Sequence, residues 1–154
     1  MNKLAGIGTH LKKIYRIYSG LLLQSLQKRG FTDLRPSFLE VLFAICEADG
    51  SSIKDIGKAC GLKKQTMTSH LNELEKRGYI RRSVNALDKR EQLIFLTDYG
   101  TRFKLNLLEC AQEIEVFYSD LVGMVELNRM ELMLKTFHEK TLHLADGDLE
   151  GFLL

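Results

Sequence analysis

Residues 63–76 hold the side chains whose types and spacing are richest in recognition chemistry. On a helix, Met67, Leu71 and Leu74 fall at i, i+4 and i+7 and share one face, which must pack inward. The opposite face carries Gln65, Ser69, Asn72 and Lys76, with Thr68 at its edge and Thr66 in the first turn. An amide side chain can meet an adenine edge with two hydrogen bonds, and hydroxyls can serve bases or phosphates. Lys63 and Lys64 stand at the helix start, where open backbone N–H groups also favour an anion. The competing reading is an ordinary polar helix face of the kind found in any bundle.

Other chemistry finds less support. Cys46, Cys60 and Cys110 are an odd, widely spaced set that makes no disulfide framework. Cys46 and Cys60 read as core fillers. Redox sensing needs an exposed thiol of lowered pKa, for which the sequence offers no sign. A metal site needs several converging ligands, whereas His10, His70, His138 and His143 are scattered. No nucleophile motif, glycine-rich phosphate loop or carboxylate pair stands out. The expectation is therefore no metal, no cofactor and no enzymatic activity.

The elements that must position residues 63–76 follow from periodicity and punctuation. Apolar residues from Leu4 to Leu26 recur at steps of three and four and predict a long amphipathic helix ending at Gly30. Pro36 opens a second helix that Asp49-Gly50 ends. Ser51-Ser52 can cap a third from Ile53 to Cys60, and Gly61 turns the chain into the fourth, from about Lys64 to Arg77. Tyr79–Val84 and Gln92–Leu96 read as strands around a polar loop. Thr97 caps a fifth helix running to about Leu121, and a sixth follows from about Leu127 to Leu144. A tail from Asp146 ends in the apolar Phe152-Leu153-Leu154.

Composition agrees with a single helix-rich domain of 154 residues. Hydrophobic residues are 45% and charged residues 27%, the mix of a globular protein. Proline occurs once, where average usage is about 5%. The longest uncharged stretch, residues 17–27, is far short of the ~20 apolar residues of a membrane span. Leu4 to Gly8 is too short for a signal-peptide core, so a cytoplasmic protein without membrane partners is expected. Net charge is only +2, but it is unevenly distributed. Residues 50–100 hold ten Lys/Arg against six Asp/Glu, and residues 101–154 hold five against ten. A basic middle can face phosphates while the acidic end faces elsewhere.

The fifth helix would be about 36 Å long in a chain whose compact radius of gyration is about 15 Å. One copy offers few elements to cover its apolar stripe from Phe103 to Leu121. Pairing of the terminal helices with a second copy is the economical solution, and an intrachain bundle is the alternative.

At this point the sequence resembles a family. Ser52 to Arg82, followed by residues 88–100, is similar to the winged helix-turn-helix of the MarR family of bacterial regulators. Asp88, Arg90, Leu96, Thr97 and Gly100 match its wing pattern, and residues 74–80 match the stretch joining recognition helix to wing. The resemblance implies a mainly α fold with a small β-hairpin wing. The winged helix-turn-helix would lie in residues 36–100, with dimerisation helices in 1–30 and 101–154. It implies a homodimer on double-stranded DNA, expected to act as a repressor on a near-palindromic operator. Arg90 would enter the minor groove with Asp88 steadying its guanidinium, and Lys89 lies between them.

The chain departs from the family in several places. Lys63 stands at the cap position often held by Ser or Asp, and Ser69 and Glu73 stand where arginine is frequent. Lys63, Lys64, Arg81 and Arg82 are then expected to supply phosphate contacts. Cys60 replaces a core Leu, which favours a buried thiol, and Gly57 stands where Ala is usual. In oxidant-sensing relatives the reactive cysteine commonly lies in the first helix, which here has none. Family effectors often bind between the dimerisation helices and the winged domain, and Tyr15, Arg16, Tyr18 and Phe43 are candidates to line such a crevice. The rival function is a winged-helix module that docks a protein without specific DNA binding.

Overall fold

The computed structural model describes residues 6–142 and 144. Six helices and one hairpin follow the order read from the sequence: α1 (Ile7–Lys28), α2 (Pro36–Glu47), α3 (Ile53–Cys60), α4 (Lys64–Lys76), β1 (Ile80–Val84), β2 (Gln92–Leu96), α5 (Asp98–Val122) and α6 (Met124–Thr141). Two local signals act as expected. Ser52 Oγ accepts from Asp55 N–H at 3.1 Å to cap α3, and Thr97 Oγ1 accepts from Gly100 N–H at 3.0 Å to cap α5. Pro36 lies in the first turn of α2.

Some boundaries shift, each for a local reason. Tyr79 lies outside β1, because its N–H bonds to Leu74 O and closes α4 instead. The sixth helix begins at Met124 rather than near Leu127. Gly123, at φ +88°, caps both α5 and α6 and leaves no loop between them. The apolar end Phe152-Leu153-Leu154, and Leu4 at the other end, lie outside the described residues.

The core gathers where α1, α2, α4, the hairpin and the first half of α5 meet. Leu22, Leu26, Leu42, Ile45, Met67, Leu71, Leu74, Ile94 and Phe103 are buried there. Tyr79 is also fully buried, packs on Tyr99 and Phe103, and donates its hydroxyl hydrogen to Asp33 Oδ1 at 2.8 Å. Arg29, at the end of α1, bonds to Asn106, Glu109 and Glu113 of α5 and fastens the two long helices together. None of the described helices is long and apolar enough to cross a membrane.

The hairpin is antiparallel, with Ile80 opposite Leu96 and Val84 opposite Gln92. A short bridge between Ser52 and Leu93 ties the α2–α3 turn to its edge. Gly100 explains one residue of the wing pattern physically. A Cβ at that position would come within 2.1 Å of Tyr79 O, so the start of α5 can press against the start of the hairpin only with glycine there. Thr97 completes the junction, donating its hydroxyl hydrogen to Gly78 O while its N–H bonds to Tyr79 O at 3.1 Å.

In a single copy, α6 buries no residue. Val125, Met133, Leu134 and Phe137 of α6 are exposed, as are Val116, Phe117 and Leu121 of α5 and Ile7, Ile14 and Ile17 of α1.

Candidate nucleic-acid interface

The turn between α3 and α4 sets the geometry of the site. Gly61 adopts φ +65°, the left-handed conformation that ends α3, and its N–H bonds back to Lys58 O. Helix α4 then packs through Met67, Leu71 and Leu74, all fully buried, as its apolar spacing requires. Lys63, Lys64, Gln65, Thr66, Thr68, Ser69, Asn72 and Lys76 are all exposed. Lys63 caps α4 without a side-chain bond. A lysine has no acceptor for the first-turn N–H groups, so they stay open beside two ammonium groups. Thr68 donates its hydroxyl hydrogen to Lys64 O at 2.9 Å, so its oxygen is left as an acceptor.

The loop between the strands is pinned by its own side chains. Asn85 Oδ1 accepts from Leu87 N–H at 3.0 Å, and Asn85 Nδ2 donates to Glu91 Oε2 at 2.8 Å. Asp88 Oδ1 accepts from both the N–H and the Nε of Arg90, at 3.1 and 3.2 Å. Asp88 thus aims Arg90 in the manner the sequence suggests, and the Arg90 side chain is 93% exposed. An oriented guanidinium on a protruding hairpin suits the negative potential of a narrow minor groove.

Between α3, α4 and the wing lies an open cleft of about 1140 Å³. It brings together Lys63, Lys64, Thr68, Arg82, Asp88, Lys89 and Arg90. Lys54 and Lys58 of α3 also line it. They were missed in the sequence, where their spacing of i, i+4 after the Ser52 cap was the available signal.

Two expected phosphate ligands are placed differently. Strand side chains alternate between faces, so Arg81 and Arg82 diverge. Arg81 leaves the cleft side and stacks over the Phe95 ring at 4.6 Å. Arg82 faces α4, where Nη2 donates to Asn72 Oδ1 and Nε lies 3.7 Å from Glu75 Oε2. Its side chain is only 18% exposed, which suits a brace between wing and helix better than a phosphate contact. The carbonyl oxygen of Asn72 keeps one lone pair and its amide keeps both hydrogens, enough for a two-bond contact.

A second cleft, of about 380 Å³, lies between α1, α2 and α3 and is lined in part by Tyr15, Tyr18 and Phe43. Arg16 is exposed and does not line it. At 100° per residue, Tyr15, Tyr18, Ser19 and Leu22 share a face from which Arg16 is turned away. Cys60 is half-buried at the rim rather than in the core, with Sγ 3.8 Å from Glu40 O. Burial pushes all three thiols up, Cys46 to about 11, the opposite of what a reactive thiolate needs. Among the described residues, no group of His, Cys, Asp and Glu is arranged to hold a metal ion.

Comparison with known proteins converges on one family. The MarR family model matches residues 32–91. The HTH-type transcriptional regulator TtmR of Methylorubrum extorquens (strain PA1) is 41% identical over 69 residues, 45% of this chain and 35% of TtmR. The chain spans less than two thirds of the length of each curated relative it matches. In fold it is similar to the crystal structure of MarR, with a TM-score of 0.77 at 18% identity over 96% of this chain and 98% of that one. CouR from Rhodococcus jostii RHA1, solved bound to p-coumaroyl-CoA, gives a TM-score of 0.69 at 24% identity, covering 89% of this chain and 95% of that one. Residues 32–91, which hold the helix-turn-helix and the wing loop, are thus similar to the MarR family, and the chain carries the winged helix-turn-helix fold seen in MarR.

Proposed function

We propose that the protein is a homodimeric transcription regulator that binds a near-palindromic operator in double-stranded DNA. One observation carries the reading. The start of α4, through Lys64 and Thr68, and the Asp88-braced Arg90 border a single cleft lined by Lys54, Lys58, Lys63 and Lys89, while Gln65, Ser69 and Asn72 stand exposed on the same helix. In this arrangement Gln65, Ser69 and Asn72 read base edges in the major groove, with Thr66, Thr68 and Lys76 beside them. Lys63, Lys64, Lys89 and the added Lys54 and Lys58 meet phosphates. Arg90 enters the adjacent minor groove.

The dimer rests on the exposed apolar side chains of α1, α5 and α6. A helix that buries nothing in one copy needs a covering surface, and self-association covers both copies at once. Repression is the simplest mode of action, since an occupied operator blocks a promoter sterically with no further contact. A small-molecule effector seated between α1 and α2 would bias the spacing of the two recognition helices.

Selection of binding sites from random duplexes tests this reading. Enrichment of a palindromic site with half-sites one helical turn apart, ~34–36 Å, is expected. No enrichment from an intact dimer would favour the protein-docking module instead.

A further inference from the structure

The cleft between α1, α2 and α3 has a charge character of its own. Its aromatic walls are Tyr15, Tyr18 and Phe43, and among the described residues the charged ones lining it are Glu40 and Glu47. These two carboxylates stand seven residues apart on α2, about 10.5 Å along the helix axis, with Phe43 between them. Tyr15 donates its hydroxyl hydrogen to Glu40 Oε1 at 2.7 Å, which fixes one carboxylate at the edge of the cleft. Burial raises the phenols of Tyr15 and Tyr18 above their ordinary range, so they are neutral at physiological pH. The absence of Arg16 from the lining removes the one cation the sequence had suggested.

From this we infer that the cleft binds a small organic cation, an amine or quaternary ammonium carried on an apolar body, and discriminates against aromatic acids. The inference rests on the effector role proposed above and specifies its chemistry. Aromatic faces attract a cation through their quadrupole. Two carboxylates without a lysine or arginine in the lining add attraction for a cation and repel a carboxylate ligand. The volume of about 380 Å³ lies at the small end of the range for ligand pockets, about 300–1,000 Å³, which limits the occupant to a compact molecule.

Calorimetric titration of the full chain, without DNA, tests this with three probes of one ring size: benzyltrimethylammonium, benzoate and benzyl alcohol. The ammonium is expected to bind at least about tenfold more tightly than benzoate. The double variant Glu40→Gln, Glu47→Gln should abolish that preference and leave benzyl alcohol unchanged. Both carboxylates are exposed, and unchanged circular dichroism would confirm an intact fold. The wild-type comparison stands even if the variant misfolds. Benzoate binding as tightly as the ammonium, or no ammonium binding at millimolar concentration, would overturn the inference. So would an unchanged preference in a folded double variant. Because no DNA is present, failure here is distinct from failure to find an operator.

Discussion

At the scale of single residues, Arg90 and Arg82 show how identical side chains take different work. Arg90 is almost fully exposed and held by Asp88, so its removal should cost DNA affinity and nothing else. Arg90→Ala is expected to weaken operator binding about five- to 150-fold, a loss of roughly 1–3 kcal/mol, with the melting temperature unchanged. A titration of the same operator with both proteins checks this. Arg82 is tied to Asn72 and Glu75, so Arg82→Ala should loosen the Asn72 amide instead. The expected result is relaxed preference at one base pair of each half-site with an unchanged salt slope. A slope reduced by about one would mean that Arg82 touches a phosphate after all. The pairing of Asp88 with Arg90 follows from the family resemblance, which implies it at these two positions of the wing. Strand alternation implies that Arg81 and Arg82 diverge. Which of the two faces α4 depends on the register of Ile80 opposite Leu96, a tertiary fact.

At the scale of elements, the helix-turn-helix was readable because its punctuation is local. Ser52, Gly61 and Thr97 each act within a few residues of themselves. The inward face of α4 was equally plain, since Met67, Leu71 and Leu74 differ in kind from their neighbours. The role of Gly100 was recognised only as part of a family pattern. Its physical reason, the backbone of Tyr79 pressed against it, lies far away in sequence. Gly100→Ala should therefore strain the joint between hairpin and α5, destabilising the fold by about 1–3 kcal/mol or more. Chemical denaturation would show this as a lower midpoint. An unchanged midpoint would mean that the hairpin yields without cost. The cleft between α1 and α2 was only partly legible. Tyr15, Tyr18 and Phe43 line it, but helix phase turns Arg16 away from it.

At the scale of the whole molecule, charge and hydrophobicity divide the chain into a basic surface, proposed here to meet phosphates, and an apolar one, proposed to meet a second copy. The basic excess of residues 50–100 gathers around the cleft below the wing, whereas α5 carries five Asp/Glu against two Lys/Arg. This segregation was visible in the sequence, although the overall charge of +2 conceals it. The length of α5 suggests a partner, and the exposed apolar residues of α6 offer a surface on which the proposed second copy would pack. Phe117→Glu, at an exposed position on α5, should convert the dimer to monomer in sedimentation while helix content is largely kept. A variant that sediments as the parent does would place the interface elsewhere.

The central claim is that the α4 face and the wing engage the phosphate-lined grooves of DNA. The most direct measurement is the affinity of the parent dimer for its selected site as a function of salt. A steep linear fall of log affinity with log salt is expected, with a slope of about −0.9 for each phosphate neutralised, shared among the lysines around the cleft. Binding that hardly responds to salt would contradict it, and would turn the same surface into a docking face for another protein.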